Sequence, residues 1–114
     1  MNLEVTPEVI AKQLALGDSE STINQVKQAI ENTKNFNMFS KHIISFNDRL
    51  KHINSYIALS NSKPYFKIKC DSTQESKELI TEFTTEVNHF ANKYHITLEK
   101  VKDKDVYYIL GRDN

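Results

Sequence analysis

The chain has no tryptophan, a single cysteine, two glycines and two prolines, and its thirteen lysines stand beside only two arginines. Each scarcity excludes something. One cysteine, Cys70, rules out an intramolecular disulfide and points to a reducing compartment. Two glycines leave little material for a phosphate-cradling loop, and the sequence holds no Gly-x-Ser-x-Gly elbow and no His-Glu-x-x-His run. No apolar run approaches the roughly 20 residues a membrane helix needs. The first residues, Met-Asn-Leu-Glu-Val, lack the basic start and apolar stretch of a secretory leader, so the expectation is a cytoplasmic protein without membrane association. An excess of either charge is missing too. Fifteen basic and fifteen acidic side chains cancel, six against six through Ser62 and nine against nine from Lys63 onward, so no bulk field pulls the chain toward a polyanion.

What is present is a strong helical pattern between two strand-like runs. From Thr73 to Tyr94, Ile80, Phe83, Val87, Phe90 and Tyr94 recur at steps of three and four and so share one helical stripe, widened by Leu79 and Ala91. Ser72 and Glu75 have the spacing of a capping box at its start. Before it, Phe66, Ile68 and Cys70 alternate with Tyr65, Lys67 and Lys69. After it, Ile96 and Leu98 alternate with Thr97 and Glu99, and Val106, Tyr108 and Leu110 with Tyr107 and Ile109, around a charged turn at Lys102 to Lys104. Val101 is out of phase, which implies a bulge or an early strand end. These runs give a β-α-β-β unit over 63–110.

The preceding 62 residues read as helical. Thr6 and Pro7 form a helix start, and Gly17 is placed to end that helix in a left-handed conformation. Asp18 and Ser19 can cap a second helix carrying Ile23, Val26 and Ile30, which fades over Asn32 to Asn37. A third helix follows from Phe39 to Ile57, with Phe39, Ile43, Phe46, Leu50, Ile53 and Ile57 in heptad spacing. That stripe calls for a partner helix, either the 73–94 helix of the same chain or a second copy across a homodimer axis. The expectation is one α+β domain over 1–114: N-terminal helices, then a small three-stranded sheet covered on one face by two long helices, with 111–114 as a frayed tail.

Candidate chemistry is sparse. Cys70, ahead of a helix start, sits where a thiolate is stabilised, yet its phase with Phe66 and Ile68 reads as a buried apolar position. Glu86 and His89 have the Glu-x-x-His spacing that di-iron bundles use twice. No second copy exists, since Asp48 and His52 stand four apart, so no metal and no cofactor is expected. His42 and His95 read as helix-surface and helix-end residues. With no catalytic residue identified, the leading expectation is a non-enzymatic interaction module, an adaptor, inhibitor or assembly factor. It would contact another protein through Ile44, Tyr56 and Leu59, which lie off the heptad seam; exposed together they favour that reading, and buried they remove its footing. The alternative is a single-stranded nucleic-acid-binding protein using Lys63, Tyr65, Lys67 and Lys69, basic side chains interleaved with an aromatic ring on one strand face. A β-α-β-β arrangement by itself decides between neither.

Overall fold

Local chemistry sets the first two helices. The computed structural model describes residues 6–60, 62–70 and 77–112, so the first five residues, the Ser72–Glu75 capping box and the last two residues lie outside the described residues. The Thr6 hydroxyl accepts from the Val9 N–H and Pro7 occupies the first turn of α1 (Pro7–Gln13). Its end is closed by Ala15 rather than Gly17: Ala15 takes the left-handed conformation, φ 55°, and the Leu16 N–H reaches back to the Ala11 carbonyl. Ser19 caps α2 (Glu20–Asn32) by accepting from the Thr22 N–H.

The third helical reading needs a correction. Helix α3 runs Phe36–Leu50, a short 3-10 turn covers Lys51–Ile53, and Ser55–Leu59 is a strand, β1. Asn54 turns the chain with φ 51°, in the left-handed region that asparagine tolerates. Asn47 then fixes the junction: fully buried, its side-chain carbonyl accepts the Ile57 N–H at 2.8 Å. Ile57 thus belongs to the sheet, so the expected helix from Phe39 to Ile57 is two elements. Strand β2 is Phe66–Cys70, α4 is described over Lys77–Tyr94, and a hairpin of β3 (Ile96–Lys100) and β4 (Val106–Arg112) completes the chain. The sheet therefore has four strands, not three, antiparallel throughout in the order β1-β2-β4-β3. The class is α+β, with helices packed on the sheet.

Strand β4 also runs on through Gly111 and Arg112, so the frayed tail expected over 111–114 does not begin at Gly111. Lys34, between α2 and α3, forms a parallel bridge with Gly111: its N–H donates to the Leu110 carbonyl and its carbonyl accepts the Arg112 N–H at 2.9 Å. A Cβ on Gly111 would fall 2.5 Å from the Lys34 nitrogen, and the residue holds φ 137°, so glycine is required on both counts. The register slips between Thr97 and Leu98, which pair with Gly111 and Ile109, so Leu110 is the bulged residue. Val101 closes the hairpin, its N–H donating to the Val106 carbonyl just beyond the end of β3.

The core lies between the helices and one face of the sheet. Ile57, Phe66, Ile68, Cys70, Tyr107 and Ile109 supply the sheet side, and Phe36, Phe39, Ile43, Phe46, Leu50, Phe83, Val87 and Phe90 the helical side. Phe46 and Phe90 stack at 4.1 Å between ring centroids, tying α3 to α4. The α3 stripe thus finds its partner within the chain, and Leu50 and Ile53 are buried there. Among the described residues no helix is long and apolar enough to cross a membrane.

Candidate functional site: the open face of the sheet

Strict alternation in β1, β2 and β4 divides their side chains between two environments. The register places Ala58, Lys67, Tyr108 and Glu99 in one row across all four strands, and Tyr56, Lys69 and Val106 in the next. These residues point away from the core that the helices cover, and none of the seven is buried. Tyr56 is the most open of the large ones, at 38 % exposure.

Tyr108 is the centre of this face. The Lys63 ammonium lies over its ring, 5.3 Å from the centroid, a cation–π contact. The Tyr65 ring is tilted against it at 6.1 Å, and Lys67 is its neighbour on β2. Its hydroxyl shares a hydrogen bond with the Ser62 hydroxyl at 3.2 Å. Hydrogen bonds from Ser62 and Ser60 stabilise the phenolate and, helped by Lys63 and Lys67, draw the hydroxyl below its ordinary pKa of 10.0 against the opposing effect of desolvation. The turn that carries Ser62 and Lys63 is pinned from within: the Ser60 N–H donates to the Tyr65 carbonyl and the Tyr65 N–H to the Lys63 carbonyl.

The four residues expected for a polyanion, Lys63, Tyr65, Lys67 and Lys69, are therefore brought onto one face, with two additions. Tyr56 came from a stretch read as helix. Tyr108 came from a strand apolar on both faces, where alternation alone could not say which side was out; burial of Tyr107 and Ile109 decides it. The Lys63 contact joins residues 45 positions apart, which no local pattern reveals. Three lysines against Glu99 make this patch positive in a chain that is neutral overall.

The other expected set is not brought together. Ile44 on α3 and Leu59 on β1 are half-buried against the core, while Tyr56 stands on the open face. Cys70 is buried at the end of β2. Glu86 bonds to Arg49 across the α3–α4 seam at 3.0 Å, and Asp48 to Lys51 at 3.3 Å. Among the described residues no three histidine, cysteine or acidic side chains are grouped to hold a metal ion. The arrangement sets flat rings, ammonium groups and hydroxyls on the face of the sheet that no helix covers among the described residues. No family model matches the chain, and neither a curated protein nor a solved structure matches it.

Proposed function

We propose that the protein is a non-enzymatic binding module of the cytoplasm and that its ligand is a single-stranded nucleic acid held on the open face of the sheet. The observation that carries this reading is the Tyr108 cluster, in which Lys63, Tyr65 and Lys67 surround one ring on a surface that no helix covers among the described residues. Exposed rings stack bases whatever their sequence, and ammonium groups beside them neutralise the phosphates between those bases. Glu99 at the β3 side limits the basic track to about the width of β1, β2 and β4, so a short single strand fits better than a duplex.

The test is a titration with a fluorescent single-stranded oligonucleotide at several salt concentrations. Each neutralised phosphate adds about 0.7 to the slope of log affinity against log salt, so the double change Lys67→Gln and Lys69→Gln should flatten it by about 1.4. Tyr108→Ala should weaken binding by about 1–3 kcal/mol and leave the slope nearly unchanged. Binding that is undetectable at physiological salt, with the fold intact, would sink this reading.

A second reading, an adaptor, inhibitor or assembly factor docking on another protein, draws support from two exposed apolar side chains, Tyr56 at 38 % and Met38 at 52 %. It predicts a partner whose capture is lost in Tyr56→Ala while nucleic-acid binding is absent from the wild type.

A further inference from the structure

A groove with about 110 Å³ of free space runs along the seam of α3 and α4, in the helical layer and away from the open sheet face. A single water needs about 10–15 Å³ of such space, so the groove admits a larger group. Its walls come from matching stripes: His42, Ser45 and Arg49 on α3, and Glu86, His89 and Lys93 on α4, each at steps of three and four. Its floor is aromatic, formed by the stacked Phe46 and Phe90 rings and by Tyr94, which stacks on His42 at 3.9 Å.

The two ends of the groove differ in charge. At one end Glu86 neutralises Arg49 through a 3.0 Å bridge to Nε. At the other, Lys93 lines the groove with His42, and the charges of Lys93, Arg112 on β4 and the neighbouring Lys41 all act on the His42 ring. Lys93 lies 5.4 Å from the centroid of the Tyr94 ring, so it is held over the aromatic wall. Arg112 reaches this side because the Leu110 bulge changes the phase of β4, which sets Arg112 opposite the buried Ile96. Its Nε is shielded from solvent and has no hydrogen-bond partner among the described residues. Together these observations describe a concave site with Lys93 in its lining, the field of Arg112 and Lys41 acting on it, and the one carboxylate of the lining tied to Arg49.

We propose that this groove binds a small phosphate monoester, its phosphate between Lys93, His42 and His89 and its organic part on the Phe46, Phe90 and Tyr94 rings. A dianion there neutralises the cationic end, and charge-assisted bonds to ammonium and imidazole fix its position. Burial, followed by the field of Lys93, Arg112 and Lys41, holds the His42 pKa below 6.5, so the empty site keeps His42 neutral at pH 7. Bound phosphate offsets that field and raises the His42 pKa, so at a fixed charge of the ligand binding is coupled to uptake of a proton by His42.

The experiment is a titration of the full chain with inorganic phosphate, following the His42 and His89 ring resonances by NMR with sodium chloride at equal ionic strength as control. The expected result is a saturable shift of both histidines, a raised His42 pKa, and about tenfold weaker binding in Lys93→Gln. Phenyl phosphate should bind more tightly than inorganic phosphate, because it adds a ring to the aromatic floor. Shifts that follow the chloride control, or a Lys93→Gln variant that is folded and binds phosphate like the wild type, would overturn the proposal. Backbone spectra of the variant establish that it folds.

Discussion

Tyr107 and Tyr108 are adjacent in sequence, lie in one strand, and occupy opposite environments. Tyr107 is 8 % exposed and its ring lies 6.0 Å from Phe83 in the core. Tyr108 carries a lysine over its ring and serines at its hydroxyl. The difference extends to the whole sheet. On the covered side Ile57, Phe66, Ile68 and Ile109 are fully buried in the core they share with α3 and α4 and supply folding energy; on the open side the same three strands, β1, β2 and β4, present tyrosine and lysine outside that core. Identical backbone geometry thus serves stability on one face and, on the reading proposed above, recognition on the other.

The sharpest way to break this comparison is to truncate one residue from each face. Phe66→Ala should lower the unfolding free energy by about 3–5 kcal/mol, since it empties a fully buried site that stacks on Phe36 at 5.4 Å. Tyr108→Ala should cost less than about 1 kcal/mol. Urea midpoints that were equal for the two would show that the open face contributes to folding as the covered one does. Next in size is Gly111→Ala, which sets a Cβ against the Lys34 backbone at a positive φ. A loss of about 2–3 kcal/mol is expected, together with faster exchange of the Lys34 and Arg112 amides that form the bridge. Unchanged exchange would mean that the α2–α3 joint is held elsewhere.

The smallest effect is in pH. Because the folded chain holds the His42 pKa below 6.5, the unfolded chain binds that proton more readily. The contribution of His42 to stability is full above about 6.5 and is lost as the pH falls through the lower folded value. His42→Gln should remove that part of the acid-side decline, measured as the urea midpoint across this window. A variant whose midpoint falls just as the wild type's does would place the decline on other groups.

Periodicity made α4 legible, because five large side chains on one stripe have few other arrangements. It misled at β1 for a physical reason. Ile53 and Ile57 are four apart, a spacing that suits one helical face but also lets the first close a 3-10 turn while the second enters a strand. The decisive residues are polar: Asn54 turns the chain, and buried Asn47 satisfies the Ile57 N–H that faces away from β2. A buried asparagine at an edge strand is a long-range arrangement, and local pattern reads it as an ordinary helix-surface residue. The missed strand carried Tyr56 with it. At the candidate site the lysines and Tyr65 were legible as an alternating run, whereas Tyr108 depended on which face of β4 the helices cover.

The most direct test of the open-face account follows the tyrosine ring resonances while a short single-stranded oligonucleotide is added to isotope-labelled protein. The account predicts that the rings of Tyr56, Tyr65 and Tyr108 shift together and saturate at one stoichiometry, while the Tyr107 ring, one residue from Tyr108 but on the covered side, stays in place. Shifts at Tyr107 and the core phenylalanines with Tyr56, Tyr65 and Tyr108 unmoved, or no saturable shift at any tyrosine, would contradict it.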